Sequence, residues 1–191
     1  MKKIFFTIGT NASGKSSIAK QFLTDPDTVI IDFPDYKNLA TVCKTNNMII
    51  IGKYSKKGPS GGCDGIPKKA FIQDMLRSVW DMPQDIYMEG YIIGSRRWIT
   101  ELENEINKDN TREVYFVTLN TELDTCFARI FNRSGKTRDK LKGNGMNVVS
   151  SHEHVIKNKA WVAENLPTVK HLELDAEHKS SQELCQQLMS V

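Results

Sequence analysis

Gly9-Thr10-Asn11-Ala12-Ser13-Gly14-Lys15-Ser16 has the spacing G-x-x-x-x-G-K-S, the pattern of a loop that binds phosphate. Each residue type has a task. Glycines let the backbone curl so that successive N–H groups point at phosphate oxygens. Lys15 carries a cation to the β- and γ-phosphates, and the Ser16 hydroxyl suits Mg²⁺. Ser17 follows in the first turn of a helix-like stretch, whose positive N-terminal end adds to the site. Gly9 through Ser17 are therefore expected to bind a nucleoside triphosphate, with ATP and Mg²⁺ as the cofactors.

Other residues could complete a phosphoryl transfer. Glu89 closes the apolar run Ile86-Tyr87-Met88. A carboxylate beside such a loop holds Mg²⁺ directly or through water, although an acid at a strand end can also be ordinary. Asp32 ends the run 28–33, with Asp35 just beyond. A carboxylate there can take the proton of an attacking hydroxyl, or cap a turn. Gly61-Gly62-Cys63-Asp64-Gly65 sets three glycines around one acid. Core packing does not explain that composition. It suits backbone brought close to an acceptor, with Asp64 as a second candidate for the base. Cys63 is either reactive or a small residue in a tight turn. Arg129, Arg133 and Arg138 could neutralise charge on the transferring group, or form a solvated basic helix end. Arg96 and Arg97 are candidates for an acceptor phosphate. Tyr54, Tyr91 and Trp98 could stack on a base or simply pack. The expected acceptor-binding set is Asp35, Tyr54, Gly61, Gly62, Cys63, Asp64, Arg96 and Arg97.

The elements that must position these residues alternate. Strand-like runs at 3–8, 28–33, 85–88, 113–119 and 169–174 are separated by helix-like stretches, which predicts a parallel sheet with helices on both faces. Right-handed crossovers then line the strand C-termini along one edge, so chemistry belongs just after strands. Runs 39–44 and 48–53 flank Thr45-Asn46-Asn47 and read as a β-hairpin inserted over about 38–54. The polar, basic stretch at about 132–147 reads as a loop carrying arginines. No repeat or linker divides the chain, so residues 1–191 are expected to be one domain.

Composition fits a globular protein, with 39% hydrophobic and 26% charged residues. No apolar run approaches the roughly 20 residues needed to span a bilayer. A signal peptide at Met1-Lys2-Lys3 would cut away the phosphate-binding loop. Four well-separated cysteines without a CxxC pair suit a reduced, cytoplasmic protein. Net charge is only +3, but Arg129, Arg133, Lys136, Arg138, Lys140 and Lys142 crowd one segment, opposed there by Asp139. Such clustering suits a polyanion: nucleotide phosphates or a nucleic-acid backbone.

Taken together, Gly9 to Ser16, the acids Asp32 and Glu89, and Arg129, Arg133 and Arg138 resemble the P-loop kinases that include nucleoside and nucleotide kinases. Ile51-Gly52-Lys53-Tyr54 followed by Gly61-Gly62-Cys63-Asp64-Gly65 is similar, more narrowly, to small phage-encoded kinases implicated in phosphorylating 5-hydroxymethyluracil within DNA. The resemblance implies a three-layer P-loop kinase fold with a five-stranded parallel core, the inserted hairpin and an arginine-bearing lid. It implies ATP as donor, DNA as acceptor and a location in host cytoplasm. Lys15, Asp32 or Asp64, Glu89, Arg129 and Arg133 would carry catalysis, with Ser16 and Glu89 at the metal. A D-R-[YH] signature of thymidylate kinases is absent, and Glu89 precedes Gly90-Tyr91 rather than the R-S of deoxynucleoside kinases. A free nucleoside or nucleotide kinase remains the alternative acceptor reading. An NTPase without acceptor and a nucleic-acid-binding module are further alternatives.

Overall fold

The computed structural model describes residues 1–33, 39–55, 61–101, 111–141 and 148–191. Asp35 and Lys142 lie outside them. β1 (Lys2–Gly9) is buried without a break from Ile4 onward, as a strand covered on both faces requires. Its side chains alternate: Ile4, Phe6 and Ile8 enter one core and Phe5 the other. The first core is closed by α2 (Lys69–Val79), α3 (96–101 within the described residues) and α6 (Val148–Asn165). The second is closed by α1 (Lys15–Phe22) and α7 (Ser181–Ser190). Helices therefore cover both faces of the sheet.

That sheet has seven strands. The others are β2 (Thr28–Ile30), β3 (Ala40–Cys43), β4 (Met48–Ile51), β5 (Asp85–Glu89), β6 (Arg112–Asn120) and β7 (Lys170–Asp175), in the order β2-β3-β4-β5-β1-β6-β7. Strands β4, β5, β1, β6 and β7 are mutually parallel, whereas β3 is antiparallel to both β2 and β4.

This order corrects two expectations. Residues 28–33 do not supply a parallel core strand: Thr28–Ile30 form β2, antiparallel at the sheet's end, and all three residues are exposed. The hairpin is not an appendage either. It forms as β3 and β4, with Asn47 at φ 52° in its turn, but β4 then pairs parallel with β5. The physical reason is side-chain composition. Met48-Ile49-Ile50-Ile51 has no polar member and is fully buried, as an interior parallel strand needs. Asp25 anchors the turn, its carboxylate accepting from the backbone N–H of Asp27 and Asn46 at 2.9 Å. Burial raises the Asp25 pKa, but hydrogen bonds from Asp27, Thr45 and Asn46 outweigh it and hold it low.

All four cysteines are free and buried. At the sheet edge away from the phosphate loop, Arg112 is 3% exposed and saturates its guanidinium on carbonyls. It donates to Met82 O (2.6 Å), Trp80 O (2.8 Å), Gln84 O (2.8 Å) and Lys3 O (3.3 Å). Several of these are orphan acceptors past the end of α2. Arg112→Met should lower unfolding free energy by about 2–4 kcal/mol in urea denaturation, while nucleotide affinity of the folded protein stays unchanged.

Candidate active site

The loop after β1 folds as its glycines allow. Gly14 sits at φ 111° with open space around it, and Ala12 is also left-handed at φ 67°. A side chain on Gly9 would collide with the Ser13 hydroxyl. The Gly14 carbonyl accepts from Ser17 N (2.9 Å) and Ile18 N (3.2 Å), which starts α1. Lys15 is half-buried over the loop, its Nζ donating to Gly9 O (2.7 Å) and Thr10 O (3.1 Å). Burial lowers its pKa, against the opposing pull of Glu89 and Asp64.

Glu89 ends β5 directly opposite Thr7 of β1 and is 2% exposed. Its Oε1 accepts from the Ser16 hydroxyl at 2.8 Å. Burial raises its pKa; Lys15 and Ser16 pull it down, and Asp64 pushes it up again. The glycine loop closes over this carboxylate. Gly62 lies at φ 50°, where any side chain would strike the Glu89 carboxyl group. Lys53 N donates to Gly62 O at 2.8 Å, tying the loop back to the end of β4. A short 3₁₀ turn (Cys63–Gly65) then turns Asp64 outward. Its two oxygens accept from Tyr91 N (2.7 Å) and Ile92 N (2.8 Å), and a Cβ on Gly90 would sit 2.9 Å from Asp64 Oδ1.

Lys15, Ser16, Glu89, Asp64 and Gly61 line one cavity of about 860 Å³. Arg129 and Arg133, both from α4 (Leu123–Ser134), line it from the β6 side. Arg129 is half-buried and braces the loop, donating to Ser13 O (3.2 Å) and to Ala176 O (2.8 Å). Arg133 is exposed.

Other expected residues fall elsewhere. Asp32 is exposed, two residues past β2, the end strand of the sheet, and does not line the cavity. Arg138, in the short α5 (Arg138–Leu141), lies 4.3 Å from the Phe127 ring and 3.4 Å from Asp124. Arg97 pairs with Glu101 at 2.8 Å, and Arg96 lies over Trp161. Cys63 is fully buried and its thiol pKa is pushed well up by burial, so it is no nucleophile. Trp98 is 1% exposed in the core.

Two contributions escaped the sequence. The turn after β7 adds Ala176, Lys179 and Ser181 to the cavity; applying the strand-end rule to β7 would have found them. Helix α6 hydrogen-bonds the phosphate loop through Ser151 Oγ to Asn11 N (3.1 Å) and through His152 Nδ1 to the Thr10 hydroxyl (3.0 Å).

The family profile described as 5-hmdU DNA kinase matches residues 1–185, so the chain belongs to that family. It is 32% identical over 139 residues to a 5-hmdU DNA kinase of Bacillus phage SP10, covering 70% of this chain and 21% of that protein. It is 30% identical over 140 residues to 5-hmdU DNA kinase 1 of Salmonella phage ViI, covering 70% of this chain and 60% of that protein. The matched stretch is thus only part of either relative. Among solved structures, a gluconokinase from Sinorhizobium meliloti 1021 is similar at TM-score 0.49 and 11% identity, covering 98% of this chain and 90% of the other. A shikimate kinase from Bacteroides thetaiotaomicron is similar at 0.46 and 18%, covering 98% and 97%.

Lys15 stands half-buried between the phosphate loop and Glu89. Its cationic form binds phosphate, and burial lowers its pKa. ATP affinity, titrated from about pH 7 to about pH 10, should therefore decline before an ordinary lysine near 10.4 would lose its proton. Lys15→Arg should flatten that decline, because guanidinium stays charged throughout.

Proposed function

We propose that this chain is an ATP-dependent kinase that phosphorylates the hydroxymethyl oxygen of 5-hydroxymethyluracil in DNA. The observation that carries the reading is Asp64, an exposed carboxylate in the same cavity as Lys15, Ser16 and Glu89, in a chain of the 5-hmdU DNA kinase family. The names of the phage relatives support the acceptor.

The chemistry follows from the residues present. Backbone N–H groups of residues 9–16 receive the phosphates, and Lys15 exchanges its carbonyl partners for phosphate oxygens. Ser16 and Glu89 offer two hard oxygens already in contact, a donor set that suits Mg²⁺, which binds one or two protein ligands plus phosphates. When bound, the ion neutralises charge on the β- and γ-oxygens. The acceptor oxygen attacks the γ-phosphorus as the bond to the β–γ bridging oxygen breaks. The hydroxyl proton passes to Asp64, and ADP leaves with the bridging oxygen and its electron pair. The expected lid at about 132–147 runs outside the described residues at 142–147. Arg133, on the cavity wall, meets the developing charge. Arg129 holds the loop in shape beneath it.

Asp64 is preferred over Asp32 as the base because Asp64, unlike Asp32, lines the cavity that holds Lys15, Ser16 and Glu89. A base within duplex DNA must leave the stack to reach the cavity, and Arg96, Lys136 and Lys140 then meet the backbone.

Radiolabelled ATP offered with hydroxymethyluracil DNA, plain DNA, and free nucleosides and nucleotides tests the reading. Label should appear on hydroxymethyluracil DNA alone. Lys15→Ala should abolish it. Asp64→Asn should lower kcat by roughly 10²- to 10⁴-fold, the usual worth of a general base, while Asp32→Asn stays close to wild type. DNA affinity should fall steeply with added salt. Label confined to free nucleotides would overturn the DNA acceptor.

A further inference from the structure

Three aromatic side chains are candidates for stacking near the site, and two are spent on packing. Trp98 is 1% exposed. The Tyr54 ring packs against Gly52, where a Cβ would come within 2.8 Å of its Cε2, and its hydroxyl is buried. Tyr91 differs: it is 48% exposed, directly after the strand that carries Glu89.

Tyr91 is also held from several sides. Its backbone N–H donates to Asp64 Oδ2 at 2.7 Å, so the main chain that carries the ring is tied to the carboxylate. Its ring stacks on the imidazole of His154 from α6, with centroids 3.9 Å apart and planes 22° apart. Asn158, one helical turn on and 3% exposed, bridges the assembly. Its amide nitrogen lies 2.6 Å from His154 Nε2 and 2.5 Å from Gly94 O. One amide hydrogen serves each, so Nε2 accepts and the imidazole is neutral. Burial and Arg96 both lower the His154 pKa, in agreement. Gly94 has no room for a side chain, since a Cβ there would collide with Ile8 of β1. The turn carrying Tyr91 is thus fixed to the central strand.

The sheet order places this assembly on one side of the phosphate loop. Tyr91 follows β5, whereas Arg129, Ala176 and Lys179 follow β6 and β7 on the other side of β1. A half-exposed aromatic ring backed by a neutral imidazole is a stacking platform for a flat, uncharged ring. We infer that Tyr91, braced by His154 and Asn158, stacks on the pyrimidine of the acceptor and aims its hydroxymethyl group at Asp64. Tyr91 is then a substrate-binding residue, and His154 and Asn158 position it. The inference rests on the acceptor proposed above.

Steady-state transfer from ATP to a single-stranded oligonucleotide containing 5-hydroxymethyluracil tests it, because an unpaired base separates stacking from extrusion. Tyr91→Leu should raise the acceptor KM roughly 10- to 100-fold, the range of one base–aromatic stack, with ATP affinity unchanged. Tyr91→Phe should restore the wild-type KM, and His154→Ala should raise it by less than Tyr91→Leu. An unchanged acceptor KM in Tyr91→Leu overturns the platform. So does a loss that falls equally on ATP affinity. A wild-type protein that transfers nothing to this oligonucleotide or to its duplex overturns the proposed function, and the platform with it.

Discussion

The site is organised around one buried carboxylate. Glu89 stands at the end of an interior strand, where a lone charge would cost several kcal/mol to desolvate. Its surroundings offset that cost piece by piece. Ser16 donates to it, Lys15 supplies positive potential, and Gly62 withholds a side chain so that the glycine loop can close over it. Lys15 meanwhile rests on the carbonyls of Gly9 and Thr10, which are weak competitors for an ammonium compared with phosphate. The site therefore holds a cation and an anion close together, each held by uncharged partners.

The sheet sorts these functions by strand. β1 brings the phosphate loop. β6 and β7 lead to Arg129 and the turn of Ala176 and Lys179. β4 and β5 lead to the glycine loop, Asp64 and Tyr91. Arg129 links the first two groups through carbonyls at Ser13 and Ala176, and Asp64 links the loops after β4 and β5. Each half of the edge is stitched internally, and they meet at the pairing of Thr7 with Glu89.

Much of this was legible in the sequence where the chemistry demands a fixed spacing. The phosphate loop could be read because its backbone needs glycine at set positions. Glu89 and Asp64 stood out as an acid at a strand end and an acid among glycines. Strand order was harder, since residues 28–33 and 48–51 are both short apolar runs. The distinguishing signal is the uninterrupted Met48-Ile49-Ile50-Ile51, which tolerates burial on both faces. The run 28–33 that carries Asp32 was assigned to the parallel core, whereas β2 lies antiparallel at the end of the sheet. Arg129 was found as part of a basic cluster, but its contacts are to backbone carbonyls, which every residue has and no sequence pattern reveals. Ser151 and Asn158 left a faint trace: they interrupt the stripe Val148, Val155 and Val162 on the buried face of α6, and polar residues in such a stripe need partners.

The four buried cysteines have a practical consequence. Burial pushes the thiols of Cys43 and Cys185 up to about 12, Cys126 to about 11, and Cys63 well above its usual value. Thiolate is the reactive form, so the folded chain offers almost none at neutral pH. A single cysteine introduced at an exposed position such as Ser134 would then take up a fluorophore or spin label selectively, without removal of the native thiols. The basic segment beyond α4 could be followed spectroscopically through a catalytic cycle in a protein otherwise unaltered.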